Sequence, residues 1–165
     1  MKHVILPSFV VASTMGLAGS AATEEVTSPI VGVWKLQRFE RCVVGGACEP
    51  VYGENPGGYA VYTKSGIFMT QGYHTKRVVS KTPDPTDAER IELFKSMYAW
   101  GGRYKVEGNK VTVNVEFAWT EGWKGQARTS TFYLDGKTLT SELSQFKSPI
   151  DGTLIFTKVT LERAE

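Results

Sequence analysis

The stretch YKVEGNKVTVNVEFAWTEGWKGQARTSTFYLDGKTLT, Tyr104 to Thr140, decides the fold. Apolar and polar residues alternate along it with period two, the pattern of a strand with one face on a core. Turn signals interrupt the alternation at short intervals. They are Gly108-Asn109, Thr120 to Gly122 and Asp135-Gly136, the last a two-residue hairpin signal of the type I′ kind. No helix fits between them. Upstream, GYAVYT and IFMTQGYH read as two further strands joined through KSG, with Gly66 at the turn. VGVWKLQRFE, Val31 to Glu40, is the first strand, with Trp34 and Leu36 on one face and Val33, Lys35, Gln37 and Phe39 on the other. TLIFTKVTLER, Thr153 to Arg163, is the last. About eight strands in a meander predict an all-β fold. Closure into an antiparallel barrel is how such a meander removes its exposed edges.

One segment breaks the pattern. In KTPDPTDAERIELFKSMYAWGG, Thr86 and Glu89 form a capping-box signal. Ile91, Phe94, Met97 and Tyr98 recur at helical spacing, and Gly101-Gly102 supplies a stop. The spacing predicts one helix near residues 87–100.

The N-terminus carries a different signal. Lys2 and His3 precede an apolar run, VILPSFVVASTMGLAG, and small residues follow, GSAAT. This is the layout of a cleaved export leader, with Ala21 or Ala22 as its last residue. Pro7 and the short run argue against a membrane anchor. LAGS, Leu17 to Ser20, lacks the cysteine of a lipoprotein anchor. The organisation expected is a leader over 1–21, a linker over 22–30 and one barrel domain over 31–165, exported to the periplasm or beyond. Within CVVGGAC, Cys42 and Cys48 flank a Gly-Gly turn, and in an oxidising compartment such a pair forms a disulfide. So short a loop stabilises by about 1–3 kcal/mol.

Charge excludes some functions. The net charge of +2 over 165 residues gives no basic face for nucleic acid. Two thiols alone do not complete a tetrahedral metal shell, and no H-x-H or H-E-x-x-H occurs. No nucleophile elbow, phosphate loop or dinucleotide fingerprint is present, so neither metal nor cofactor is expected.

Two features resemble a known family. GVW, Gly32 to Trp34, is similar to the G-x-W that opens the first strand of calycin proteins. PGGYAVYTKSGIFMT, Pro56 to Thr70, and the run from Tyr98 through Thr140 resemble the bacterial lipocalin-like domain family. That family's members look like G-Y-L-x-Y-T-x-D-G, then Y-x-G-x-Y-x-V-x-G-x-x-V-T-H-x-V-E, W-x-G and F-x-L-D-G. The resemblance implies a small barrel with a central cavity. It further implies that Trp34 closes one end, with Arg163 packed over it as a cation–π pair. Val113 and Asn114 stand where the family often carries a histidine, and the cysteine-bearing loop is an addition to the pattern.

Within the opening stretch, Thr112, Asn114, Glu116 and Ala118 share one face. Val111, Val113, Val115, Phe117 and Trp119 share the other, and Arg128 lies on the next strand. Two arrangements stay open. Either the polar row faces water, with Glu116 and Arg128 an exposed cross-strand pair, or Asn114, Glu116 and Arg128 line a polar cavity. Strand register decides between them. Trp119 and Trp123 flank a turn at a barrel end, with Tyr98 and His74 expected near the same mouth. The candidate ligand-binding residues are therefore Tyr98, Asn114, Glu116, Trp119, Trp123 and Arg128, and the candidate acids or bases are His74 and Glu116.

Three functions fit. The first is a barrel that binds a small apolar or aromatic molecule. The second is a cofactor-free isomerase, hydratase or decarboxylase using the same cavity. The third is an inhibitor or envelope-interaction protein acting through the Cys42–Cys48 loop. A large cavity favours the first two, and a filled barrel favours the third.

Overall fold

The computed structural model describes residues 25–148 and 152–165; the predicted leader lies outside them. In chain order come β1 (Gly32–Val43), β2 (Cys48–Pro50), β3 (Gly57–Tyr62), β4 (Ile67–Tyr73), α1 (Asp87–Lys95), β5 (Met97–Glu107) and β6 (Lys110–Ala118). β7 (Ala127–Asp135), β8 (Thr138–Leu143), β9 (Phe146–Lys147) and β10 (Leu154–Arg163) follow. Eight of these run antiparallel in the order β1-β3-β4-β5-β6-β7-β8-β10, and β10 pairs back onto β1 to close the barrel. β2 and β9 are short additions at one end, on β1 and β10. The hairpin turns fall where the glycines foretold. Gly66, Gly108 and Gly136 all take positive φ, which a residue without Cβ adopts at little cost.

One end of the barrel is filled. Trp34 has no exposed surface and packs among Ile30, Tyr62, Tyr104, Leu139 and Leu161. Its indole N–H donates to the Ile30 carbonyl at 2.7 Å. The Arg163 guanidinium lies 4.1 Å from the ring centroid and donates to the Pro29 and Val31 carbonyls. The segment expected as linker is therefore partly built into the fold. Ile30 is fully buried, and the Val26 N–H bonds the Lys64 carbonyl at 2.7 Å.

Two β-bulges set which side chains enter the barrel. In β1 the register shifts between Leu36 and Arg38, so Gln37 has no partner across the ladder. Trp34 and Leu36 point inward before the shift, and Phe39 and Arg41 line the interior after it. Simple alternation placed Phe39 outside, on the face of Lys35. In β6 the shift leaves Glu116 without a partner, since Val115 pairs Gly102 and Phe117 pairs Gly101. Phe117 is thereby turned out, 47% exposed, away from the face of Val111, Val113 and Val115 that it shares in the sequence.

The helix is shorter than expected. The capping box forms as read, with the Glu89 carboxylate accepting from the Thr86 N–H at 2.8 Å and the Thr86 hydroxyl accepting from the Glu89 N–H. The helix stops at Lys95, however, and none of its residues is buried. Met97 to Trp100, expected as the last turn of the helix, instead pair with β4 as the start of β5, which runs on through Gly101-Gly102 where the stop was expected. Tertiary strand pairing overrides a helical stripe whose other half, Ile91 and Phe94, is half-exposed.

Four inward phenols give the core a pH signature. Burial pushes Tyr52 from its ordinary value of 10.0 up to about 12, and raises Tyr62, Tyr98 and Tyr104 in the same direction. A raised folded pKa favours the neutral phenol. Its stabilising contribution is complete below the unfolded value and is lost as pH rises through the folded one. The melting temperature is thus expected to fall once the pH passes about 10, with ionisation of these phenols coinciding with unfolding. A titration following tyrosinate absorbance against near-ultraviolet circular dichroism checks this. Ionisation of all seven tyrosines in one step with the dichroism intact would refute it.

Candidate functional site

The other end of the barrel is hollow. A cavity of about 640 Å³ opens there, within the range of small-molecule sites. Phe39, Tyr52 and Tyr98 form one wall, with ring centroids 4.9–5.3 Å apart. Gly72 makes room for Tyr98, because a Cβ on it would stand 2.3 Å from the ring. Phe68 and Trp100, 5.0 Å apart edge to face, continue the lining, and Val111 and Val113 complete it from β6. Hydroxyls punctuate the apolar surface at Thr70, Ser130, Ser141 and Thr157.

The mouth carries the two expected tryptophans. Trp119 and Trp123 meet edge to face at 5.0 Å across a short 3-10 turn, Glu121–Trp123. Trp119 is anchored to the helix, its indole N–H donating to the Phe94 carbonyl at 3.2 Å and its ring 5.3 Å from that of Phe94. Arg77 holds the end of the same helix, donating to the Leu93 carbonyl and the Ser96 hydroxyl. On the rim, Cys42 and Cys48 are bonded as a cross-strand pair between β1 and β2, and the first is fully buried.

Register settles the polar row. Val113 pairs with Arg128, and Asn114 pairs with Ala127. Cross-strand partners share a face, so a barrel that takes Val113 inside takes Arg128 with it and leaves Asn114 outside. Asn114 is exposed, as is Glu116, whose carboxylate meets Arg103 at 3.6 Å on the outer surface. The expectation that Asn114 and Glu116 line the cavity is corrected, as is the pairing of Glu116 with Arg128. Arg128 alone of the three faces inward. Its guanidinium carbon lies 4.2 Å from the Trp123 ring centroid and 5.9 Å from that of Trp100. Its Nε–H is buried with no hydrogen-bond partner among the described residues. Burial lowers the guanidinium pKa from its ordinary value, yet arginine remains a cation at neutral pH.

His74 is also off the cavity. It follows β4 at the mouth end, its Nδ1 accepts from the Lys76 N–H at 3.0 Å, and its ring packs beneath Gly53. The two acid–base candidates, His74 and Glu116, therefore do not face the hollow. Tyr98 does, as a buried wall residue of β5. Arg41 lines the cavity from β1 and was not a candidate, because only the bulge at Gln37 brings it inside. Among the described residues no group of three His, Cys, Asp or Glu side chains is placed to hold a metal ion, and no helix is long and apolar enough to cross a membrane.

A closed eight-stranded antiparallel barrel, plugged at one end by a G-x-W tryptophan under an arginine and hollow at the other, defines a calycin-type protein. The chain belongs to the lipocalin-like domain family, whose model matches residues 31–163. Among solved structures it is similar to a lipocalin-like protein from Bacteroides uniformis ATCC 8492, at 15% identity and a TM-score of 0.44, over 81% of this chain and 97% of that one. It is also similar to an uncharacterized protein from Bacteroides eggerthii DSM 20697, at 16% identity and a TM-score of 0.40, over 81% and 98%. No curated protein sequence matches it.

Proposed function

We propose that this protein is an exported carrier or sequestering barrel that binds a small apolar or aromatic molecule in its central cavity. The observation that supports it most is the cavity itself. About 640 Å³ of space is walled mainly by aromatic and aliphatic side chains and reaches solvent past Trp119 and Trp123. An apolar cavity of this size gains from desolvating a greasy guest and from stacking against fixed rings. Export is supported by the leader-like N-terminus and by the Cys42–Cys48 disulfide, which suits an oxidising compartment. The enzymatic alternative loses support, since neither His74 nor Glu116 reaches the hollow, and the hollow itself disfavours a purely loop-mediated role.

The neutral dye N-phenyl-1-naphthylamine tests this reading. Its fluorescence should rise on binding with one-to-one stoichiometry. Ser141→Trp, which places an indole in the hollow, should weaken binding by about tenfold or more while leaving the barrel's circular dichroism in place. The outer wall has its own apolar patch around Tyr59, Met69 and Phe117. Dye that binds equally well after Ser141→Trp would be sitting on that patch, and the cavity reading would fall.

A further inference from the structure

The described lining of the cavity includes basic side chains. Arg41, Arg128 and Lys147 line it, and among the described residues no Asp or Glu does. Arg128 is the most telling of the three. Its strand partner is Val113, its neighbours across the space are the rings of Trp123 and Trp100, and the carboxylate that the sequence offered it, Glu116, is on the far side of the sheet. Taking a guanidinium partly out of water and leaving a buried N–H without an acceptor is unfavourable unless something else accepts that bond. The cation–π contact with Trp123 uses none of its hydrogen-bond donors.

We propose that the guest is an amphipathic organic anion. Its carboxylate or equivalent group is received by the Arg128 guanidinium near the mouth, and its apolar body lies against the aromatic wall. This rests on the cavity-binding reading above and adds the chemistry of one end of the ligand. A planar anion such as a carboxylate matches the fork of donors on arginine, and a charge-assisted bond in a partly desolvated site is stronger than a neutral one. Trp123 fixes the direction of the fork, and Trp100 forms the step between the anion site and the hydrocarbon wall. Neutral molecules of the same shape would fill the hollow but leave the Nε–H without an acceptor.

The test uses a matched pair of dyes, 8-anilinonaphthalene-1-sulfonate and N-phenyl-1-naphthylamine, which differ by one sulfonate. Both should bind the unaltered protein. Arg128→Gln should weaken the sulfonate dye about tenfold more than the neutral one, and Arg128→Lys, which keeps the charge, should fall between. Equal weakening of both dyes, or of neither, would overturn the proposal, since Arg128 would then be only a wall residue. A second arm needs no variant and holds even if Arg128→Gln does not fold. 1-Naphthoate should displace the neutral dye from the unaltered protein at about tenfold lower concentration than 1-naphthalenemethanol, and equal displacement would overturn the proposal. Binding of the neutral dye without the sulfonate dye removes the anion and leaves the cavity reading standing, whereas binding of neither removes both.

Discussion

Trp34→Ala is expected to destabilise the barrel by about 4 kcal/mol, as read from urea unfolding. The indole is fully buried at the filled end and leaves a void lined by Ile30, Leu139 and Leu161. The substitution also removes the hydrogen bond to the Ile30 carbonyl and the platform under Arg163. That arginine bonds Pro29 and Val31, so the entry of the chain into β1 is loosened as well. Small domains are stable by only about 5–15 kcal/mol, so a loss of this size leaves a large unfolded fraction in mild urea. A cost below about 1 kcal/mol would show that the end is not a packed plug.

The second large effect is expected at Gly102, and its cause is backbone, not core volume. Gly102 sits opposite the bulge in β6, where the chain carries one extra residue and crowds its neighbour. A Cβ there would stand 1.9 Å from the Asn114 carbonyl oxygen and 2.8 Å from the Glu116 nitrogen. Neither atom is the free end of a flexible side chain, so the ladder must part or the bulge must shift. Gly102→Ala is expected to cost about 3 kcal/mol or more, beyond what a conservative change in a strand normally does. Gly108→Ala makes the comparison, because its Cβ would meet nothing within 4 Å and its cost comes from its positive φ alone. If Gly108→Ala proved the more damaging of the two by urea unfolding, close approach at the bulge would not be what Gly102 provides.

These two positions also show what the sequence made legible. Trp34 was readable because the G-x-W opening the first strand, with an arginine near the chain's end, resembles the way lipocalins close one end of the barrel, and the structure brings Arg163 over that ring. The strands between Tyr104 and Thr140 were readable because period two and three turn signals agree. The bulges were not, since one extra residue leaves both flanking patterns intact while changing which parity faces inward. Phe39 and Arg41 were therefore missed as cavity residues, and Phe117 was placed with valines it does not accompany. The helix was overextended for a related reason. Phe94 and Tyr98 stand four apart and Tyr98 and Trp100 stand two apart, so the segment satisfies both periods, and pairing with β4 chose the second. At the site, the aromatic mouth and Arg128 were legible. The partner of Glu116 was not, because alternation fixes which residues travel together and only register fixes which way they face.

The bulges have a consequence for how the length of this chain can vary through evolution. Gln37 and Glu116 are the residues that the ladder passes over on their strands. Deleting either one would restore regular alternation and leave every inward side chain on both sides still inward. A deletion elsewhere in β1 or β6 would instead turn one end of the strand inside out, bringing either the floor around Trp34 or the lining around Val113 to the surface. Single-residue gaps between this chain and its relatives should therefore gather at these two points, which makes each bulge a joint at which a barrel strand can gain or lose a residue without rewriting its interior.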